Sequence, residues 1–370
     1  MSEGFVLAAG GTGGHLYPAE ALARELIARG FGVDLATDRK SAPFAERLPG
    51  VTVHLLSSAP VAGGPSGVAR GMFALACGAF EAQRLLRRLL PRAVIGFGGY
   101  PAVAPMLAAF FLRLPTVIHE QNAVLGRANR LLAPRVWRIA TAFSETAGFK
   151  ERDRLRAVCT GNPVRPEVLL ECGKDYVRPQ AQGAIELLIL GGSQGARVLS
   201  EIVPPALSGF PEALRKALRV SHQARPEDRT SALEHYRRSA IAAEVESFFE
   251  DAPARLARAH LVICRAGAST IAELAAIGRP ALLIPYPYAT DDHQTANARA
   301  FEKAGGGWVL LQSELDPERL RKLLLERIGD PRALAQAALS ARRFGRRDAA
   351  QRLADLAVDC AGAWREGRAA

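Results

Sequence analysis

From Phe5 onward the chain switches between two periodicities. Short apolar, β-branched runs, "FVLAA", "GVDLAT", "VTVHLL", "AVIGFGG", "TVIHEQ" and "VWRIAT", read as strands. Between most of them the apolar residues recur at helical spacing, as in "AEALARELIARG", which Gly30 closes as a C-cap. Strands alternating with helices predict a parallel sheet covered on both faces. The pattern breaks at "GNPVRP" and the polar tract "ECGKDYVRPQAQG", then restarts with "IELLILGG", "LRVSHQ", "AAEVESF", "LVICRAG" and "PALLIPYP". The expectation is two doubly wound α/β domains, 1–163 and 164–340, with the changeover inside residues 161–184. The arginine-rich helices of 341–370 would complete the second domain or cross back onto the first. A length of 370 residues points the same way, since it exceeds what one hydrophobic core organises.

Composition narrows the class. With 49% hydrophobic and 23% charged residues, the profile is that of an ordinary globular protein. Cys77, Cys159, Cys172, Cys264 and Cys360 are scattered and form no C-x-x-C pair, which fits a reducing compartment and suggests no zinc site. The N-terminal stretch lacks the basic region of a signal peptide. The longest apolar segments, near "GMFALACGAF" and "VAPMLAAFFL", fall short of the roughly 20 residues that cross a bilayer, so no span is expected. The net charge of +11 favours an anionic partner, whether nucleic acid, anionic lipid or phosphorylated substrate. Only six of the 48 basic residues are lysine, so a genomic bias toward arginine would give the same charge.

Two glycine loops carry the chemistry. "LAAGGTGGH" follows the first strand, and "LILGGSQGAR" follows the first strand after the restart. In open parallel sheets, ligands bind beyond the carboxyl ends of the strands, where helix N-terminal amides meet anions and glycine lets the backbone come close. A dinucleotide-binding dehydrogenase is one candidate, because Asp34 and Asp38 stand near the end of the second strand, where a ribose-binding acid belongs. The loop fits that reading poorly: "GGTGGH" is not G-x-G-x-x-G, and His15 stands where a pyrophosphate wants small residues.

Seven segments, "GGTGGH", "GFGGYP", "HEQN", "GNPVR", "GGSQGAR", "RAGASTIAE" and "DDHQTANA", occur in the order and approximate spacing of the MurG family, and between Leu7 and about Gly307 the chain resembles it. The resemblance implies a GT-B fold of glycosyltransferase family 28: two Rossmann-like domains facing across a cleft, an N-terminal acceptor domain at the membrane and a C-terminal UDP-sugar domain. It implies inverting transfer of N-acetylglucosamine from UDP-N-acetylglucosamine to the C4 hydroxyl of undecaprenyl-diphosphate-linked N-acetylmuramyl-pentapeptide, in peptidoglycan synthesis. It further implies peripheral attachment to an anionic membrane surface at the cytoplasmic face of the inner membrane, cell-wall synthesis and division proteins as partners, no nucleic acid and no cofactor. Two alternatives stay open. A related UDP-sugar-dependent lipid glycosyltransferase would share the architecture, and a non-catalytic nucleotide-binding protein would keep the donor motifs without needing His15.

The resemblance assigns roles residue by residue. Ala268, Ser269, Thr270, Ile271, Ala272 and Glu273 would bind the nucleotide sugar, with Glu273 accepting both ribose hydroxyls; a carboxylate's two oxygens suit a cis-diol. Against this, Thr270 and Glu273 have the spacing of a capping box. Ser193 and the amides of residues 192–196 would hold the diphosphate, helped by the helix dipole and by Arg165, which is otherwise a solvent-exposed linker arginine. Phe249 would meet uracil through its backbone, its side chain being core. Gln294 and Asn122 would read sugar hydroxyls or, alternatively, cap loops. Thr12, Gly13, Gly14 and His15 would face the acceptor, with His15 as the base, since a helix N-terminus disfavours imidazolium. His119 and Glu120 either line the same cleft or are structural. No D-x-D triplet occurs, so no metal is expected, although Asp291 and Asp292 could touch a cation. The segment Pro60 to Arg92 combines an apolar run with Arg84, Arg87 and Arg88, which suits a peripheral membrane contact.

Overall fold

A computed structural model describes residues 4–46, 48–59, 64–180, 183–192 and 195–369, without the side chains of 65 and 365–369. It divides into two compact units, Met1–Arg165 with Asp348–Ala370, and Pro166–Arg347.

In the first unit, strands β1 (Gly4–Ala8), β2 (Gly32–Thr37), β3 (Val51–Leu55), β4 (Val94–Gly96), β5 (Thr116–Glu120), β6 (Arg138–Thr141) and β7 (Ala157–Cys159) form a parallel sheet in the order β3-β2-β1-β4-β5-β6-β7. The second unit contains β8 (Ile185–Leu190), β9 (Leu218–Gln223), β10 (Ala242–Glu246), β11 (Leu261–Cys264), β12 (Ala281–Leu283) and β13 (Gly307–Val309). These are also parallel, in the order β10-β9-β8-β11-β12-β13. Each sheet therefore starts in its middle, winds to one edge, and restarts on the other side of its first strand. The two reversals, between β1 and β4 and between β8 and β11, are the switch points beyond which such sheets bind ligands.

The strands are apolar because helices cover both faces; β1, β5 and β11 are buried along their whole length. The helix Gly13–Ala28 lays Leu16, Ala19, Leu22, Ala23 and Leu26 on the first sheet. It stops where Gly30 takes a φ of 85°, letting the Gly30 and Phe31 amides turn back to Ile27 O and Leu26 O at 2.9 and 3.0 Å. The helix Ala349–Ala369 packs on that same helix and on β5 and β6, burying Leu353, Ala354, Ala357, Cys360 and Ala361. The helix Pro331–Phe344 belongs to the second unit, and the division falls after Arg347 instead of at the 340 expected above.

The second unit is clamped by a buried cation. Arg279, 1% exposed, donates to Ala257 O and Gly278 O at 2.9 Å, to Ile277 O at 3.3 Å, and to Lys174 O and Asp175 O at 3.4 Å. It thereby satisfies the carbonyl ends of the helices Ala252–Arg258 and Ala268–Ile277 and ties residues 174–175 to them. Burial among neutral partners brings its pKa down to about 10.

All five cysteines are free thiols. Among the described residues no helix is long and apolar enough to cross a membrane.

Candidate active site

At the first switch point the glycine loop after β1 leads into the helix Gly13–Ala28, capped by Thr12 in extended conformation. Gly10 is wedged so closely that a Cβ there would lie 3.0 Å from Pro101 Cγ and Thr37 Oγ1. Gly11, at a φ of 86°, donates its amide to Ser41 Oγ at 2.9 Å. Asp38 accepts from the Ser41 amide at 3.1 Å and from the Tyr100 hydroxyl at 2.8 Å, and burial with this bond raises the Tyr100 pKa to about 12. Asp34 in turn bonds His54 at 2.7 Å. Both acids that a dinucleotide-binding enzyme would offer to ribose are thus engaged inside the fold.

His15 projects from the first turn of the helix. Its Nδ1 lies 3.3 Å from Thr12 Oγ1, and its ring rests on Gly99, where an added Cβ would come within 3.2 Å of Nδ1. Gly98 and Gly99 have φ values of 82° and 72°, so the loop after β4 takes a backbone that side chains disfavour and abuts the loop after β1. Arg165 stacks over Tyr17 of the same helix, 4.8 Å from guanidinium carbon to ring centroid.

At the end of β5, His119 is fully buried. Its Nε2 bonds Gly161 O at 2.9 Å and its Nδ1 lies 3.0 Å from Gln121 Nε2. Desolvation lowers its pKa to about 4, opposed by the Gly161 bond and reinforced by His15. Glu120 accepts from the Asn122 amide, Asn122 Nδ2, the Gly126 amide and Asn129 Nδ2, all within 3.1 Å. Its carboxylate folds the loop that follows.

At the second switch point, the loop after β8 carries Gly192 and Gly195 at φ values of 80° and 67° and enters the helix Arg197–Ser208. A Cβ on Gly191 would lie 2.5 Å from the Ala196 amide nitrogen, so only glycine admits this turn. Ser193 lies outside the described residues. After β11, Gly267 caps the helix Ala268–Ile277, which places Thr270 inside its first turn. The capping box that Thr270 and Glu273 would form is therefore not made.

Gln294 Oε1 accepts from the Ala266 and Tyr286 amides at 3.2 and 3.0 Å, binding the loop after β11 to the loop after β12. Its carbonyl is engaged, so its NH2 is the end suited to a ligand oxygen. Buried Arg265 crosses beneath, donating to Ile284 O and Pro285 O at 3.1 Å and to Gln312 Oε1 at 2.7 Å. Asp291 and Asp292 take φ values of 54° and 50° where the helix His293–Lys303 begins, and Thr295 Oγ1 donates to Asp292 Oδ1 at 2.7 Å. Among the described residues no group of three or more His, Cys, Asp and Glu side chains is arranged to hold a metal.

Residues 5–141 match the glycosyltransferase family 28 N-terminal domain, and residues 186–353 the family 28 C-terminal domain. The chain belongs to glycosyltransferase family 28. It is 52% identical over 357 residues to the UDP-N-acetylglucosamine--N-acetylmuramyl-(pentapeptide) pyrophosphoryl-undecaprenol N-acetylglucosamine transferase of Rhodospirillum centenum, covering 96% of this chain and 94% of that protein. The enzyme of the same name from Rhizobium meliloti is 48% identical, with 96% and 95% covered. The crystal structure of Acinetobacter baumannii MurG matches with a TM-score of 0.79 at 30% identity, covering 96% of this chain and 99% of that one. The calicheamicin glycosyltransferase CalG4, at 18% identity, matches with a TM-score of 0.68 over 98% of each chain and shares the fold. The two parallel sheets are those of the GT-B fold.

Within this family 28 fold, the first unit gathers Thr12, Gly13, Gly14, His15 and Arg165 around one helix start, with Asn122 beyond the end of β5. The second gathers Ala268 to Glu273 with Gln294. Phe249 stands apart: its ring is buried and covered by the Arg255 guanidinium at 4.1 Å, and its carbonyl accepts from the Ala252 amide at 3.3 Å. Sequence reasoning assigned no role to Tyr100 or Ser41 and weighed Asp38 only as a ribose acid, whereas all three hold the first glycine loop. It also gave no role to Arg265, which holds the loops after β11 and β12. The position of Arg265, directly before "AGAST", was the available signal.

Proposed function

We propose that the chain moves N-acetylglucosamine from UDP-N-acetylglucosamine to the C4 hydroxyl of undecaprenyl-diphosphate-linked N-acetylmuramyl-pentapeptide. The observation that carries this reading is the 52% identity to a transferase named for that reaction, across nearly all of both chains. In the proposed step, the His15 imidazole takes the proton of the C4 hydroxyl as its oxygen bonds to the anomeric carbon from the side opposite the leaving group. The bond from that carbon to the β-phosphate oxygen breaks, and UDP departs with the electron pair. Glu273 holds the ribose diol, and the Gln294 NH2 donates to a hydroxyl of the transferred sugar, as Asn122 does beside the acceptor. The loop amides around Ser193, together with Arg165, meet the growing negative charge of the diphosphate.

The acceptor's polyprenyl chain places the reaction at a bilayer surface, and the helix Pro65–Leu89 suits that contact. Its middle is pinned by Ser57, whose amide and hydroxyl donate to Glu81 at 2.7 and 2.8 Å. Leu85 and Leu86 are core, while Met72, Phe73 and Phe80 face outward beside exposed Arg84, Arg87 and Arg88. Apolar side chains entering the interface with arginines on anionic headgroups make a peripheral contact. Residues 60–63 of the segment singled out above lie outside the described residues.

The test is turnover of UDP-N-acetylglucosamine with a short-prenyl analogue of the acceptor, with product stereochemistry read by NMR. Donor binding without transfer, or preference for another UDP-sugar, would overturn the proposal.

A further inference from the structure

The run His119-Glu120-Gln121-Asn122 contains two side chains, His119 and Gln121, that are buried and that the mechanism above does not use. Their bonds connect three separate pieces of the first unit. His119 Nε2 donates to Gly161 O, at the start of "GNPVR". With its proton on Nε2, His119 offers the Nδ1 lone pair to Gln121 Nε2, and that same NH2 donates to Phe97 O at 3.0 Å and to His119 O at 3.1 Å. Phe97 opens the loop whose Gly99 supports the His15 ring. Asn129 backs the loop from the other side, its Nδ2 bonded to His119 O at 3.1 Å and standing 3.3 Å from where a Gly98 Cβ would be.

At the linker end His119 shares Gly161 with two other bonds, the Gly161 amide to Thr141 O at 3.2 Å and the Thr160 hydroxyl to Gly161 O at 3.1 Å. Asn162, next to Gly161, is 7% exposed, and neither its Oδ1 nor its Nδ2 has a hydrogen-bond partner. A buried unpaired amide opposes the conformation that contains it. The segment 161–165 is instead held by His119, Thr141 and Thr160 at one end and by the stacking of Arg165 on Tyr17 at the other, and of the Gly161 bonds only that of His119 leads to the loop under His15. The His119 and Arg165 contacts lead back to the helix that carries His15.

We infer that His119 and Gln121 are positioning residues: they fix the Gly98–Gly99 loop against His15 and register that loop with the 161–165 segment, without touching substrate. The inference rests on His15 being the base. Loop geometry of this kind matters because a displacement near 1 Å at a reacting group costs about a hundredfold in rate.

Two substitutions separate the bonds. His119→Gln keeps a donor at the Nε2 position for Gly161 and loses the acceptor for Gln121, whereas His119→Asn does the reverse. Gln121→Met removes the links to His119 and Phe97 while filling the same volume. The expected result is a fall in kcat of about ten- to a hundredfold in His119→Asn and Gln121→Met, with the Kd for UDP-N-acetylglucosamine within about twofold of wild type. The 15N shifts of the His15 ring should change in the same variants, reporting an altered tautomer balance. A purely structural role predicts a lowered melting temperature with wild-type kcat per folded molecule and unchanged His15 shifts, and that result overturns the inference. Should either variant fail to fold, His119→Gln, which keeps the Gly161 bond and loses only the Gln121 one, decides: lowered kcat with altered His15 shifts supports the inference, and wild-type kcat with unchanged shifts overturns it. His15→Ala run in parallel tells the two failures apart. If it keeps turnover, the base assignment is wrong; if it abolishes turnover while the other variants stay wild type, only the positioning role falls.

Discussion

The first sheet begins at β1 and restarts at β4, the second begins at β8 and restarts at β11, and in each a glycine turn follows both strands. What stands on those turns differs. The first unit presents an imidazole, His15, over a second buried imidazole and a web of polar bonds. The second presents a carboxylate and an amide, Glu273 and Gln294, on two helices whose preceding loops are cross-linked by Arg265. A shared topology supplies two sets of helix N-termini, and the side chains divide the labour between them. One sheet carries an imidazole beyond its switch point, and the other carries a carboxylate and an amide.

Removing residues 348–370 should break the comparison most severely. It uncovers the face on which Leu353, Ala354, Ala357 and Cys360 are buried, a loss on the order of 5 kcal/mol, comparable to the whole stability of a domain. We expect the first unit to unfold and turnover to vanish while UDP still binds the second; calorimetry showing two unchanged transitions would contradict this. Next in size, His15→Ala should lower kcat by about a hundredfold or more and leave donor affinity near wild type. Equal losses in both would mean that the two sheets do not divide the work.

Glu273→Ala should weaken donor binding by about tenfold or more, measured by titration. Gly267 and not Thr270 caps that helix, so loss of the carboxylate leaves the cap in place. The smallest effect concerns His119 and His222, one buried in each unit and each held to a pKa of about 4 by desolvation. The unfolded chain takes up protons from near pH 6.5, so stability is complete above that value and declines as pH falls toward 4. Replacing His222 by Gln should flatten the acid side of the melting curve, and an unaltered slope would assign the decline to other groups.

The alternation of strands and helices was legible because buried parallel strands are apolar throughout. Two strands were not: β7 and β13 are three-residue edge strands only partly buried, so no apolar run marks them, whereas β4 and β12, equally short, are buried throughout. The glycine loops marked the turns at the sheet switch points, since Gly98, Gly99, Gly192 and Gly195 occupy backbone angles that other residues avoid. The capping-box alternative at Thr270 and Glu273 could not be dismissed from the sequence because T-x-x-E marks only a spacing, whereas the helix start is set by where β11 ends and by the extended backbone of Gly267. His119 was ambiguous for a related reason. Its neighbours in space, Gly161 and Gln121 with Phe97, come from three parts of the chain, and no local window contains them.

The return of the helix Ala349–Ala369 to the first unit has a consequence for synthesis on the ribosome. Residues 166–347 form an insertion within the first unit, so the chain crosses between the two units twice. The nascent second unit has all its strands and the Arg279 clamp before the helix that closes the first has been translated. Until then β5 and β6, made much earlier, wait with one covering helix missing and apolar side chains open to water. The unit begun first is the one completed last, and in that interval its exposed face is the natural target for a holding chaperone.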